Sequence, residues 1–218
     1  MAQVIFGTAY IPNESELPRY INWVNYYKKA FPDIPLHLFH DGPIDPKFAN
    51  CLTTLGCNFH VLTPHLGRNI LRGNGYFPGW KRSYSRALHE LWNVGYETII
   101  FLESDLYIRK PFINKFRNEY FTLPGFNTGW CKRHAFIETS LQVINDSNIA
   151  LDLHALFKSD VVQESDLEAE FQIRNLHKSN IISIGERLEV EVDLMLQMKD
   201  QFEYFAQFHY TTWAKFLE

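Results

Sequence analysis

Glu103 and Asp105 are the residues whose type and spacing point most directly to chemistry. They follow the uninterrupted apolar run Thr98-Ile99-Ile100-Phe101-Leu102, the pattern of a strand covered on both faces, with Ser104 between them. In an extended chain, positions i and i+2 point to the same side, with Cα atoms roughly 6.5–7 Å apart. Two carboxylates so placed repel each other unless a cation lies between them. Hard divalent ions take oxygen ligands, and Mg²⁺ is commonly held by one or two carboxylates plus the phosphates of a substrate. The chemistry expected there is departure of a phosphate-linked group, the metal offsetting charge that grows as the bond breaks. A solvated strand end carrying two acidic residues is the plain alternative.

Cations stand upstream of that pair. Trp80 to Trp92 reads as a helix through the spacing of Tyr84, Ala87, Leu88 and Leu91, and it carries Lys81, Arg82 and Arg86. Arg82 and Arg86 share a face at i, i+4. A guanidinium there reaches a phosphate bidentately or pairs with the carboxylates, unless the face is merely solvated. Arg68 and Arg72 are further candidates for a diphosphate. They lie in the stretch Pro64 to Gly79, which is rich in Gly, Pro and Asn and reads as a long loop.

The elements that must position these residues alternate. Val4 to Ile11 is a strand signal. Pro18 opens a helix with Ile21, Val24, Tyr27 and Phe31 at helical steps, and Pro32 stops it. Leu36 to His40 is a second strand, closed by the turn Asp41-Gly42-Pro43. A helix over Pro46 to Leu55 and a third strand over Asn58 to Leu62 come next. This order predicts an α/β fold, a three-layer sandwich with a mostly parallel central sheet. Ligands in such sheets bind outside the carboxyl ends of the strands, which singles out Thr8–Tyr10, Asp41 and Glu103–Asp105. After Lys110-Pro111 the alternation breaks down. Phe126 to Trp130 reads as a turn leading into a strand or helix, and Ala135 to Asn145 and Leu167 to Asn175 read as helices. The aromatic tail from Phe202 to Phe216 reads as strand or loop.

Composition bounds the function. A chain of 218 residues suits a single domain. A net charge of −4 without a clustered basic face argues against nucleic acid. No stretch approaches the ~18 apolar residues of a membrane span, so any membrane-linked acceptor would be met peripherally. The start lacks a basic n-region and reads as a strand, not a signal peptide. Three cysteines without metal-ligand spacing fit reduced thiols and a cytoplasmic location. The aromatic share of 16% suits sugar faces as well as core packing.

The segment Gly79-Trp80-Lys81-Arg82-Ser83-Tyr84-Ser85-Arg86-Ala87-Leu88, followed by Tyr96-Glu97-Thr98-Ile99-Ile100-Phe101-Leu102-Glu103-Ser104-Asp105-Leu106, resembles glycosyltransferases of the GT-A fold. In that family a basic helix precedes a strand ending in Asp-X-Asp, which binds Mn²⁺ or Mg²⁺ and the donor's diphosphate. The resemblance implies a Rossmann-like nucleotide-binding half over 1–110 and a smaller acceptor half over 111–218. It implies a nucleotide-sugar donor, most often UDP-linked, and a glycan or glycoconjugate hydroxyl as acceptor. Asp105 matches the most direct metal ligand. Glu103 replaces the first Asp and would contact the ribose, the metal or a water on it. Thr8 and Tyr10 would line the nucleoside pocket, Tyr10 stacking on the base, and Asp41 would contact base or ribose unless it is a plain turn residue.

His209, with Trp213 shortly after it, resembles the late His that many members supply as a third metal ligand, a donor that suits Mn²⁺. Asp166, then Glu168, match the acidic segment that acts as base or lies beside the reacting sugar. A helix start is the competing reading for both. The late His favours retention over inversion. Two alternatives stand beside this: a non-catalytic glycan-binding or inactive relative, and a sugar nucleotidyltransferase. The latter would carry a Gly-rich basic signature after the first strand, which Gly7 to Pro12 lacks.

Overall fold

The computed structural model describes residues 2–67, 78–131, 136–158, 173, 180–181 and 203–205. Strands β1 (Gln3–Ala9), β2 (Leu36–Asp41), β3 (Asn58–Leu62) and β4 (Thr98–Leu102) are parallel. Between them run helices α1 (Leu17–Ala30), α2 (Pro46–Thr54) and α3 (Pro78–Asn93). A short strand, β5 (Tyr107–Ile108), and helix α4 (Ile113–Asn118) come after β4. Then come β6 (Phe126–Cys131), β7 (Phe136–Ile144), α5 (Ser147–Phe157), β8 (Asn180–Ile181) and β9 (Tyr204–Phe205). Among the described residues the main sheet has seven strands in the order β3-β2-β1-β4-β7-β6-β8, and β5 pairs with β9 separately. Strand β7 alone runs against its neighbours, so the sheet is mostly parallel.

Alternation along the strands builds the three layers. Ile5, Leu38, Ile100 and Leu102 join Trp23, Val24 and Tyr27 of α1 and Leu52 of α2 in one core. Val4, Phe6, Phe39, Ile99 and Phe101 join Tyr84, Leu88 and Leu91 of α3 and Leu153 of α5 in the other. The central strands are therefore apolar along most of their length, because both of their faces are covered. Gly7 is required by a close approach: a Cβ there would lie 3.0 Å from the Leu102 carbonyl and 3.2 Å from the Trp23 ring.

The helix expected over Ala135 to Asn145 is corrected to strand β7. Leu141 and Val143 face the α1 side, while Ile144 faces α3. Gln142, fully buried between β4 and β6, interrupts the apolar pattern, and it is satisfied there. The Tyr84 hydroxyl donates to its Oε1, and its Nε2 donates to the Thr139 carbonyl at 2.8 Å. Phe126 to Trp130 resolves into strand. Helix α5, which its sequence did not announce, is capped by Asp146, whose carboxylate accepts from the N–H groups of Asn148 and Ile149. The helix expected over Leu167 to Asn175 lies outside the described residues except for Ile173, which is helical.

Candidate active site at the carboxyl ends of β1 and β4

Strand β4 ends at Leu102, and the chain turns at once: the Leu106 N–H donates to the Glu103 carbonyl at 2.9 Å. Ser104 and Asp105 thus occupy the middle of a tight turn, not the extended segment that the i, i+2 argument assumes. Two aromatic side chains of α1 hold the chain as it leaves the turn. Tyr27 donates to the Leu106 carbonyl at 3.0 Å, and Tyr26 donates to that of Ile108. Upstream, the Glu103 N–H donates to the Ser140 carbonyl of β7 at 2.9 Å. The turn is clamped on both sides.

A cleft of about 640 Å³ opens beside this turn, within the size range of small-molecule sites. Its walls include Thr8 and Tyr10 from the end of β1, Arg19 from α1, Trp80 from α3, and Glu103 and Ser104. Trp80 donates from Nε1 to Glu103 Oε1 at 3.1 Å. Among the described residues Arg19 is the arginine of the cleft. Its guanidinium donates to Ser104 Oγ at 2.6 Å and stands 3.7 Å from Asp105 Oδ2. Burial pulls Arg19 down, but Tyr20, Asp105, Glu103 and Glu16 around it outweigh that and hold it above its ordinary value. The Tyr20 phenol is raised by its own burial, although Arg19 opposes the shift. The hydroxyl of Tyr20 donates to the Tyr10 carbonyl and accepts from the Tyr10 N–H, which fixes the backbone at the end of β1.

The Tyr10 ring is 45% exposed and stacks on His65, with centroids 4.5 Å apart and planes 6° from parallel. His65 leans on Asp41, Nε2 to Oδ2 being 3.3 Å. Asp41 itself is buried at the end of β2. It accepts from the N–H groups of Leu66 and Gly67 and pairs with Arg82. Gly79 makes room for that pair, since a Cβ there would fall 2.1 Å from Asp41 Oδ2. Just before it, His40 is fully buried. It accepts from the Ile11 N–H at Nε2, which leaves Nδ1–H to donate to the Gly42 carbonyl.

No protein-family model matches the chain, and no curated protein matches it in sequence. Solved structures match it in three dimensions. One is a glycosyltransferase involved in glycosylation of the major capsid of PBCV-1, 12% identical, covering 99% of this chain and 98% of its own, with a TM-score of 0.51. A second is an active-site mutant of the galactosyltransferase LgtC, 14% identical, covering 84% and 72%, with a TM-score of 0.50. A third is the glycosyltransferase GlyE of Streptococcus pneumoniae TIGR4, 12% identical, covering 99% and 59%, with a TM-score of 0.53. The chain has the GT-A fold.

Within this GT-A fold, Thr8, Tyr10, Asp41, Glu103 and Ser104 come together around one cleft. Arg82 and Arg86 stand elsewhere. Arg82 is turned onto Asp41 and the Leu62 carbonyl, and the exposed Arg86 pairs with Glu90 at 2.9 Å. Asp166, Glu168 and His209 lie outside the described residues, as do Arg68, Arg72 and Trp213. Among the described residues no three His, Cys, Asp or Glu side chains gather around a common point. Sequence reasoning missed Arg19. Its only signal is its place one residue after Pro18, in the first turn of α1, where the helix aims at the carboxyl end of β4. No helix of the described residues is long and apolar enough to cross a membrane.

Proposed function

We propose that the chain transfers a sugar from a nucleotide-diphosphate donor, UDP-linked, to a glycan or glycoconjugate hydroxyl, with Mn²⁺ or Mg²⁺ as cofactor. The observation that carries this is the Glu103-Ser104-Asp105 turn at the carboxyl end of the central strand, opening beside an Arg-bearing cleft in a GT-A fold. The Glu103 carboxylate in the cleft and the Asp105 carboxylate two residues on are oxygen donors of the kind that would suit a hard divalent ion, with phosphate oxygens completing its shell. Glu103 and Asp105 would hold that ion, with His209 as a third ligand by the resemblance. When bound, the metal neutralises charge on the departing diphosphate.

The protein's own residues do the rest. Arg19 adds a fixed positive charge beside the phosphates and, through Ser104, keeps the acidic turn in place. Tyr10 offers a half-exposed ring to the nucleoside, pre-set by its stack on His65. Trp80 orients Glu103. Asp166 or Glu168 would lie beside the reacting sugar, and retention is the stereochemistry we assign, on the resemblance of His209. A cytoplasmic location belongs to the same proposal and is supported by the cysteine usage alone.

Calorimetric titration with UDP and a UDP-sugar, with and without Mn²⁺, tests the reading on wild type and Asp105→Ala. Binding should require the metal and weaken by at least ~10-fold in the variant, about 1.4 kcal/mol. Binding indifferent to both metal and variant removes the mechanism. Glycan affinity without donor binding would replace it with a non-catalytic role.

A further inference from the structure

We infer that the pocket between the end of β3 and helices α3 and α5 is a second anion site, taking the phosphate group of a small phosphomonoester. Among the described residues this pocket, of about 320 Å³, shares no lining residue with the donor cleft. The two lie on different flanks of α3: Trp80 and Ser83 face the cleft, while Arg82, Ser85 and Arg86 face the pocket. Its volume admits a phosphate together with a small carrier.

Among the described residues the lining is cationic and contains no carboxylate. Arg82, Arg86 and Lys158 contribute positive charge, and the exposed Thr63 contributes a hydroxyl. The acids that pair with two of these cations, Asp41 and Glu90, lie outside the pocket. Lys158 is exposed and has no acidic partner among the described residues. Arg82 is 7% exposed, and its Nε, buried by the surrounding chain, has no hydrogen-bond partner. Arg82 is therefore a fixed positive charge in the pocket wall, already paired with Asp41, and the exposed Arg86 and Lys158 are the groups free to turn onto a phosphate. His154 is held at the rim by Ser85, whose hydroxyl lies 2.9 Å from Nδ1 and donates to the His154 carbonyl at 3.0 Å. Two guanidinium groups, an ammonium and the Thr63 hydroxyl around one hollow are the donor chemistry that recognises phosphate.

The test uses the full chain without any sugar donor, so its outcome is separate from that of the glycosyl-transfer reading. Inorganic phosphate is titrated at constant ionic strength, with chloride as control, while backbone amides are followed by NMR. Saturable shifts are expected at Thr63, Ser85 and His154. They should need at least ~10-fold more phosphate in Arg86→Ala/Lys158→Ala and persist in Arg19→Ala. Arg86 and Lys158 are exposed and the Arg86–Glu90 pair is a surface one, so the double variant should keep its fold. Arg86→Gln/Lys158→Gln repeats the measurement with longer, uncharged side chains. Shifts that chloride reproduces overturn the inference. So do shifts untouched by either double variant, the absence of saturable shifts, or shifts abolished by Arg19→Ala, which would put the phosphate in the donor cleft.

Discussion

Arg82→Met is expected to destabilise the fold by about 3 kcal/mol while affecting donor binding less than Arg19→Met does. The Arg82 and Asp41 side chains are 8% and 6% exposed, so their pair is formed almost out of water. Removing one partner of a buried pair typically costs ~3–5 kcal/mol, because the remaining charge stays uncompensated. The lower end applies here. Asp41 keeps the N–H groups of Leu66 and Gly67, at 3.2 and 2.8 Å, and His65 at 3.3 Å. The Leu62 carbonyl also loses a donor at 3.1 Å, worth roughly 1 kcal/mol. For a domain of this size ~1 kcal/mol moves Tm by roughly 2–4 °C, so a fall of about 6–12 °C is expected. Urea unfolding of wild type, Arg82→Met, Asp41→Asn and the double variant gives the coupling directly, and ~1.5 kcal/mol or more should appear. A loss below ~1 kcal/mol with no coupling would refute the pairing. Loss of UDP binding at unchanged stability would refute its structural role and return Arg82 to the phosphates.

Gly79→Ala should act on the same pair by another route. Its Cβ would fall 2.1 Å from Asp41 Oδ2, and relieving that overlap should cost ~1–3 kcal/mol by urea unfolding. Acid stability should depend on His37. Burial, and the neighbouring His60 stacked on it, lower its pKa to about 4 from the ordinary value near 6.5. The unfolded chain therefore binds more protons between those values, and the contribution of His37 is complete above pH ~6.5 and lost as pH falls to about 4. At ~1.36 kcal/mol per pH unit the loss is on the order of 2–3 kcal/mol, and His37→Phe should flatten that part of the stability–pH curve. An equally steep curve in His37→Phe would rule this out.

A single physical division separates the features legible in the sequence from those that were hidden in it. The β1-to-β4 half was legible because its central strands are covered on both faces, so Thr98–Leu102 is apolar almost throughout and α1 repeats its apolar positions around Trp23, Val24 and Tyr27. Period and punctuation are local, and a single chain displays them. Strand β7 was misread because its decisive residue, Gln142, is polar for a reason that lies on another element: the Tyr84 hydroxyl of α3. Arg82 shows the same division. Its i, i+4 relation to Arg86 is a local fact, yet the structure sends one guanidinium to Asp41 on β2 and the other to Glu90. Charge alone could not say which carboxylate each would find.

The Glu103–Asp105 pair sits between these cases. Its position at the strand end was readable, but not its conformation, since the end of extended structure is set by partners: β1 pairs with β4 only as far as Phe101, and Leu106 folds back onto Glu103. An i, i+2 pair in a tight turn converges only if something outside the turn holds both ends. Tyr27 and Ser140 hold the two ends of the turn here, Arg19 supplies the charge opposite Asp105, and Glu103 is the carboxylate of the pair that lines the cleft. The site is therefore a property of α1, β4 and β7 together, and a lone Arg after a Pro becomes part of it only once the helix that carries it is packed.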